Sequence, residues 1–192
     1  MSSHHFVREG QEPALLIETE DISKFSFLDQ ITGWNPVIIA MERSVPSLIL
    51  NTVHFDHLIS IEGAERWQDV VTALPYLRVH HAQDQNIKSI LEKIIETASC
   101  KELYILCDEP LSLGQLQSVY DGLGITVFTP VQKWIHVVDK SFKSWFPAGS
   151  RILFKGTDIF LDGREAPPVC NLDMDQLITV ESTNNFWIGS DL

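Results

Sequence analysis

The sequence predicts an α/β fold with a mostly parallel sheet, followed by a small antiparallel β region. Three observations predict it. Short apolar runs with β-branched weight recur through about the first 130 residues. Stretches with apolar residues at helical spacing lie between them, and strands alternating with helices specify βαβ units with right-handed crossovers. From Lys133 the helical spacing stops, and short strands separated by Gly, Pro, Asn and Asp replace it.

The first run, PALLI at 13–17, is bounded by Pro and Glu and suits a buried strand. A helix starting at Asp21 would carry Ile22, Phe25, Leu28 and Ile31 on one face. After Gly33 and Asn35-Pro36, VIIAM at 37–41 is the second strand, and Pro46 suits the first turn of the helix after it. The third strand is 55–61. Gly63 and Ala64 then lead into a helix bearing Trp67, Val70, Val71 and Leu74, and 77–81 is the fourth strand. The polar run Asp84-Gln85-Asn86 offers an N-cap to the clearest helix of the chain, with Ile87, Ile90, Leu91, Ile94, Ile95 and Ala98 at i, i+3, i+4, i+7, i+8 and i+11. A strand, a polar turn and a helix N-terminus form an anion-ready arrangement. LYILC at 103–107, a helix at 113–123 with Leu116 and Val119, and ITVF at 125–128 complete this part.

Beyond it, 134–138, 151–155, 158–161, 177–181 and 186–189 read as strands. They are separated by Pro147-Ala148-Gly149, Lys155-Gly156-Thr157, Asp162-Gly163 and Asn184-Asn185. The boundary falls near Thr129-Pro130, dividing the chain into 1–130 and 131–192. A β part of about 60 residues buries little core alone, so it is expected to pack on the α/β part or on a second subunit.

With 192 residues and 44% hydrophobic content the chain supports a real core. A formal charge of −12 and a pI near 4.9 disfavour nucleic acid and anionic membranes as partners. Lys140, Lys143, Arg151 and Lys155 are only loosely grouped and read as solvated surface. The first residues contain no apolar signal region, and no window approaches the roughly 18 to 20 apolar residues of a membrane span. A cytoplasmic protein is expected. Cys100, Cys107 and Cys170 lack C-x-x-C spacing and read as buried, reduced thiols.

His54-Phe55-Asp56-His57 and His80-His81 suggest metal ligands at first sight. On a strand, neighbours point to opposite faces, so three convergent ligands cannot be assembled locally. Surface or capping roles are expected for these histidines, and no metal site. Asp108-Glu109 follows the LYILC strand, at the end of a parallel strand where α/β proteins bind ligands and where paired carboxylates hold Mg²⁺ in some of them. A solvated loop before Pro110 explains the same residues. Trp145-Phe146, before Pro147, reads as an exposed corner or subunit contact, whereas most other aromatics are at core spacing. No Gly-rich phosphate loop, G-x-S-x-G or H-E-x-x-H occurs.

Five stretches carry a family resemblance: SSHHFVREGQEPALLI at 2–17, VIIA at 37–40, DQN and its helix at 84–95, KSFKSWFPAGSRI at 140–152, and LITVES at 177–182. Together they resemble thiamine pyrophosphokinase, which transfers a pyrophosphoryl group from ATP to thiamine. The resemblance implies a Rossmann-like, three-layer α/β domain over 1–130 and a shortened, antiparallel β-sandwich-like domain of the thiamine-binding type over 131–192. It also implies a homodimer with sites at the subunit interface.

The family's catalytic signatures are not kept. Where the family has Asp-Gly after the second strand, this chain has Met41-Glu42. Where it has Gly-Asp-Phe-Asp-Ser after the third, this chain has Ser60-Ile61-Glu62-Gly63-Ala64. Lys88-Ser89 replaces a Thr-Asp pair after DQN, and Ser112 and Leu113 replace the Asp-His that ends a Gly-Arg-x-x-Asp-His run. The Thr-Ser-Asn strand that contacts thiamine is missing between Leu161 and Leu172, and Ser182-Thr183-Asn184-Asn185 comes too late in the order to replace it.

Pyrophosphoryl transfer depends on positioning and metal-borne charge stabilisation, so loss of these carboxylates removes on the order of several kcal/mol of catalysis. The resemblance therefore implies a divergent, inactive member kept as a ligand-binding or partner subunit, as a homodimer or beside a paralogue. Any thiamine or nucleotide it binds is expected near Asp84, Gln85, Asn86 and Ser89. A second reading is an active ATP:thiamine pyrophosphotransferase using Mg²⁺ and ATP, with Glu42, Glu62, Asp108 and Glu109 as relocated ligands. A third is an unrelated binding module sharing only the fold.

Overall fold

The structure is a computed structural model that describes residues 12–82, 87–109 and 123–192, with the backbone alone at 64 and 87. The turn 84–86 and the helix expected at 113–122 lie outside the described residues. The chain forms two compact units, Met1–Glu109 and Pro110–Leu192.

In the first unit, β1 (Ala14–Glu18), β2 (Val37–Met41), β3 (His57–Ser60), β4 (Arg78–His81) and β5 (Glu102–Cys107) pair in parallel in the order β5-β1-β2-β3-β4. Leu15 lies opposite Ile38 on one side and Tyr104 on the other. Ala14, Leu15, Leu16 and Ile17 are all buried, as expected of a strand covered on both faces. The strand order turns back between β1 and β5, because β1 to β4 run in one direction across the sheet and β5 returns to the other side of β1. The ends of those two strands mark the crevice where such sheets bind ligands.

The helix expected from Asp21 is broken. Asp21 caps a 3₁₀ turn, Ile22–Lys24, and α1 is only Leu28–Thr32. Ile22, Phe25 and Ile31 are nonetheless buried, so the apolar spacing marked the core face while the backbone followed two short turns. α2 (Val45–Leu50) has Pro46 in its first turn as expected. The helix expected around Trp67 is a 3₁₀ turn, Ala64–Trp67, continued by α3 (Gln68–Ala73), and only Trp67 is deeply buried. α4 (Ile87–Thr97) buries Leu91, Ile94 and Ile95.

In the second unit, β6 (Gly124–Phe128), β7 (Gln132–Val137), β8 (Ser141–Phe146), β9 (Arg151–Lys155), β10 (Ile159–Leu161), β11 (Arg164–Glu165), β12 (Val169–Asn171), β13 (Gln176–Ser182) and β14 (Phe186–Asp191) pair antiparallel. One run is β12-β9-β14-β7-β6 and a separate sheet is β11-β10-β13-β8. Val137, Phe154, Phe186 and Ile188 of the first meet Ile159, Ile178 and Val180 of the second in one core. The two compact units divide after Glu109, whereas the sequence reading put the boundary near residue 130; β6 pairs antiparallel with β7 within the second unit. Residues 141–146 form strand β8 rather than an exposed corner, although Trp145 within it is 67% exposed. Cys100 and Cys107 are buried, but Cys170 is only half-buried, a correction to its reading as a core thiol. No described helix is long and apolar enough to cross a membrane.

Candidate functional site

The crevice between the ends of β1 and β5 is spanned by the chain's own side chains. Buried Thr19, just past β1, donates through Oγ1 to Asp108 Oδ1 at 3.0 Å, and Lys24 Nζ reaches the same oxygen at 3.1 Å from the turn capped by Asp21. Burial raises the Asp108 carboxyl, but the hydrogen bonds from Lys24 and Thr19, the charge of Lys24 and the Glu20 N–H together outweigh it and hold the group below its ordinary value.

Glu42, one step past β2, has a different task. Its Oε2 accepts from Ser60 Oγ at 2.9 Å, from Ile61 N–H at 2.9 Å and from Glu62 N–H at 3.3 Å. Ser60 in turn accepts the Trp67 indole N–H at 3.0 Å. One carboxylate oxygen thereby ties β2 to the turn after β3, a bend completed by Gly63 at φ 101°, where only glycine is unstrained. Glu62 is spent on an ion pair with Arg66 one helical turn on, and Arg66 also lies over the Trp67 ring at 5.4 Å. Glu109 is exposed, and Ser89 is exposed on the first turn of α4.

The sequence reading missed Glu18. This half-buried carboxylate ends β1 with Oε1 3.3 Å from Arg43 Nη2, and the same guanidinium donates to the Glu18 carbonyl. Burial raises its carboxyl above the ordinary range against the opposing charge of Arg43. The available signal was an acid closing an apolar strand at the ligand-binding end of a parallel sheet.

Among the described residues, no group of three or more His, Cys, Asp or Glu side chains converges in a way that could hold a metal ion. Strand spacing separates Asp108, after β5, from Glu42, after β2, by two intervals, roughly 10 Å, and from Glu62 by three. Glu42, Glu62, Asp108 and Glu18 each already serve a donor or a cation of the chain. These residues do not fit a Mg²⁺ centre of the kind pyrophosphoryl transfer needs.

His54 and His81 are exposed, as expected, but the His57–His80 pair is not. His57 is buried, not a surface or capping residue, and its Nδ1 lies 2.9 Å from His80 Nε2 with the rings stacked at 5.2 Å. Parallel register puts His57 opposite Arg78, and Arg78 shares a face with His80, so two strands achieve a convergence that neither allows alone. His54 instead bonds Tyr76 Oη at 2.8 Å.

No family model matches the chain. No curated protein matches its sequence. Solved structures do match it. A thiamin pyrophosphokinase family protein from Enterococcus faecalis aligns with a TM-score of 0.67 at 8% identity, over 94% of this chain and 99% of that one. Thiamine pyrophosphokinase from Bacillus subtilis gives 0.61 at 12%, covering 93% and 98%. Thiamin pyrophosphokinase from Candida albicans gives 0.60 at 11%, covering 97% and 95%. The resemblance read from short sequence stretches is thus borne out at the level of structure, and the chain has the fold of the thiamine pyrophosphokinases.

Proposed function

We propose that this chain is a divergent thiamine pyrophosphokinase-like protein that has kept the scaffold and lost pyrophosphoryl transfer, and that it serves in the cytoplasm as a ligand-binding or partner subunit. The observation that carries this is internal neutralisation of the cleft. Lys24 serves Asp108, Arg66 serves Glu62, and Glu42 is occupied by the turn after β3. A metal-dependent phosphoryl site needs free carboxylates at one point, and here each is committed to a different neighbour. Thiamine or a nucleotide is the ligand class implied by the fold. A homodimer, or a pair with a paralogue, is supported by Trp145 and Leu177, 67% and 40% exposed, which face each other across β8 and β13 as an uncovered apolar pair.

Titration calorimetry with thiamine, AMP and ATP, with and without Mg²⁺, tests the binding side. An ATP isotherm that Mg²⁺ does not change is expected; a Mg²⁺-dependent gain in ATP affinity would overturn the proposal. The competing reading, an active ATP:thiamine pyrophosphotransferase with relocated carboxylates, draws support from Glu18, whose raised carboxyl at a strand end is a feature of acid–base sites. It requires Arg43 to release that carboxylate.

A further inference from the structure

At the other end of the parallel sheet, where β2, β3 and β4 begin, lies a cavity of about 260 Å³ whose lining includes Asp56, His57, Tyr76, Arg78 and Thr97. We propose that this cavity binds a small oxyanion, held by Arg78 and coupled to the uptake of one proton by the His57–His80 pair.

The two charged side chains of the lining, Asp56 and Arg78, form no ion pair with each other. Arg78 is exposed, and its guanidinium makes no hydrogen bond or ion pair among the described residues. The carboxylate beside it, Asp56, is turned to the backbone, its Oδ2 accepting the Ile38 N–H at 2.8 Å. Tyr76 Oη is engaged with His54, and the Thr97 hydroxyl with the Lys93 carbonyl. Arg78 is therefore a planar, permanently charged donor fork at the wall of a concave site, with Asp56 as a nearby charge but no ion-pair partner among the described residues, which suits a carboxylate, sulfate or phosphate group.

The histidine pair supplies the coupling. Two ring nitrogens 2.9 Å apart need one N–H and one lone pair between them, so the neutral pair can take one further proton and keep its bond as imidazolium and imidazole, but not two. Arg78 on β4 and Lys93 on α4 oppose that proton, and Asp56 favours it at His57. An anion on Arg78 would offset the opposing cations and draw the proton in from solvent. By linkage, protonation must tighten the anion to the same degree.

Sulfate is the probe, because its charge is constant over the range in which histidine titrates. Calorimetry on the full chain at about pH 5.5 and about pH 8 should show saturable sulfate binding, about tenfold tighter at the lower pH. The same titration in buffers of different ionisation enthalpy should show proton uptake. Acetate in place of sulfate separates a carboxylate site from a tetrahedral one, and saturable binding of either supports the proposal. Arg78→Gln, at an exposed position, should abolish binding. His80→Gln, at a partly exposed position, should keep binding but lose most of its pH dependence, and His57→Gln provides the same test from the buried side. Absence of saturable binding by both anions, unaltered binding in Arg78→Gln, or an unaltered pH dependence in folded His80→Gln would overturn it.

Discussion

Thr19 Oγ1 donates to Asp108 Oδ1 at 3.0 Å, joining the ends of β1 and β5 at the point where the strand order turns back. With Lys24 on the same oxygen, the place where a sheet of this kind receives a ligand is tied by the protein itself. Asp108→Asn is expected to cost about 0.5–1 kcal/mol at neutral pH, small because the pair is partly solvent-screened. The folded carboxyl lies below its ordinary value, so its contribution is present above that value and is lost as pH falls through the folded one. Urea midpoints of parent and variant should differ at pH 7 and converge as the pH falls below the lowered folded value.

Glu42 is predicted to act as a structural acceptor. Glu42→Ala leaves the Ile61 N–H without its acceptor and the buried Ser60 hydroxyl with only the longer bond to the Gly63 carbonyl at 3.2 Å, and should destabilise by about 1–3 kcal/mol. Glu42→Gln keeps an oxygen in place and should recover at least half of the loss. Thermal unfolding of the two variants checks this.

Gly189 on β14 is packed against Trp134, its partner on β7, so closely that an added Cβ would lie 2.8 Å from the indole ring. Gly189→Ala should cost about 2 kcal/mol or more, and adding Trp134→Leu should return part of it, a coupling visible in a double-mutant cycle.

The His57–His80 pair makes stability depend on pH. Burial, together with the partner ring and Arg78, lowers His57; burial with Lys93 and Arg78 lowers His80. The folded state therefore binds fewer protons than the unfolded one, so the contribution is full above about pH 6.5 and is lost as pH falls through that value toward the lowered folded one. Urea midpoints should rise from about pH 5 to about pH 8 in the parent protein, and less steeply in His80→Gln, in buffers free of oxyanions.

The strands were legible because β-branched runs bounded by Gly, Pro and charge leave few alternatives, as at VIIAM, found as Val37–Met41. Helices 3₁₀ in part, such as the turns around Ile22 and Trp67, kept their apolar spacing while losing helical continuity, so spacing located their buried residues and overstated their length. β8 went unread because Ser141, Lys143 and Trp145 alternate outward, and its inward residues Phe142, Ser144 and Phe146 form a weak apolar signal. At the site, Asp108 was found from its position after a strand and Glu42 from the family resemblance, but their occupancy by Ser60, Thr19 and Lys24 depends on side chains far apart in sequence. The His57–His80 contact was hidden for the same reason, since it depends on the register of two strands.

Thiamine diphosphate formation from thiamine and Mg²⁺-ATP is the measurement that bears most directly on the loss of catalysis. With Asp108, Glu62 and Glu42 each committed to an internal partner, no product above the enzyme-free background is expected. Turnover in the parent chain that disappears in Asp108→Ala or Glu62→Ala would contradict it.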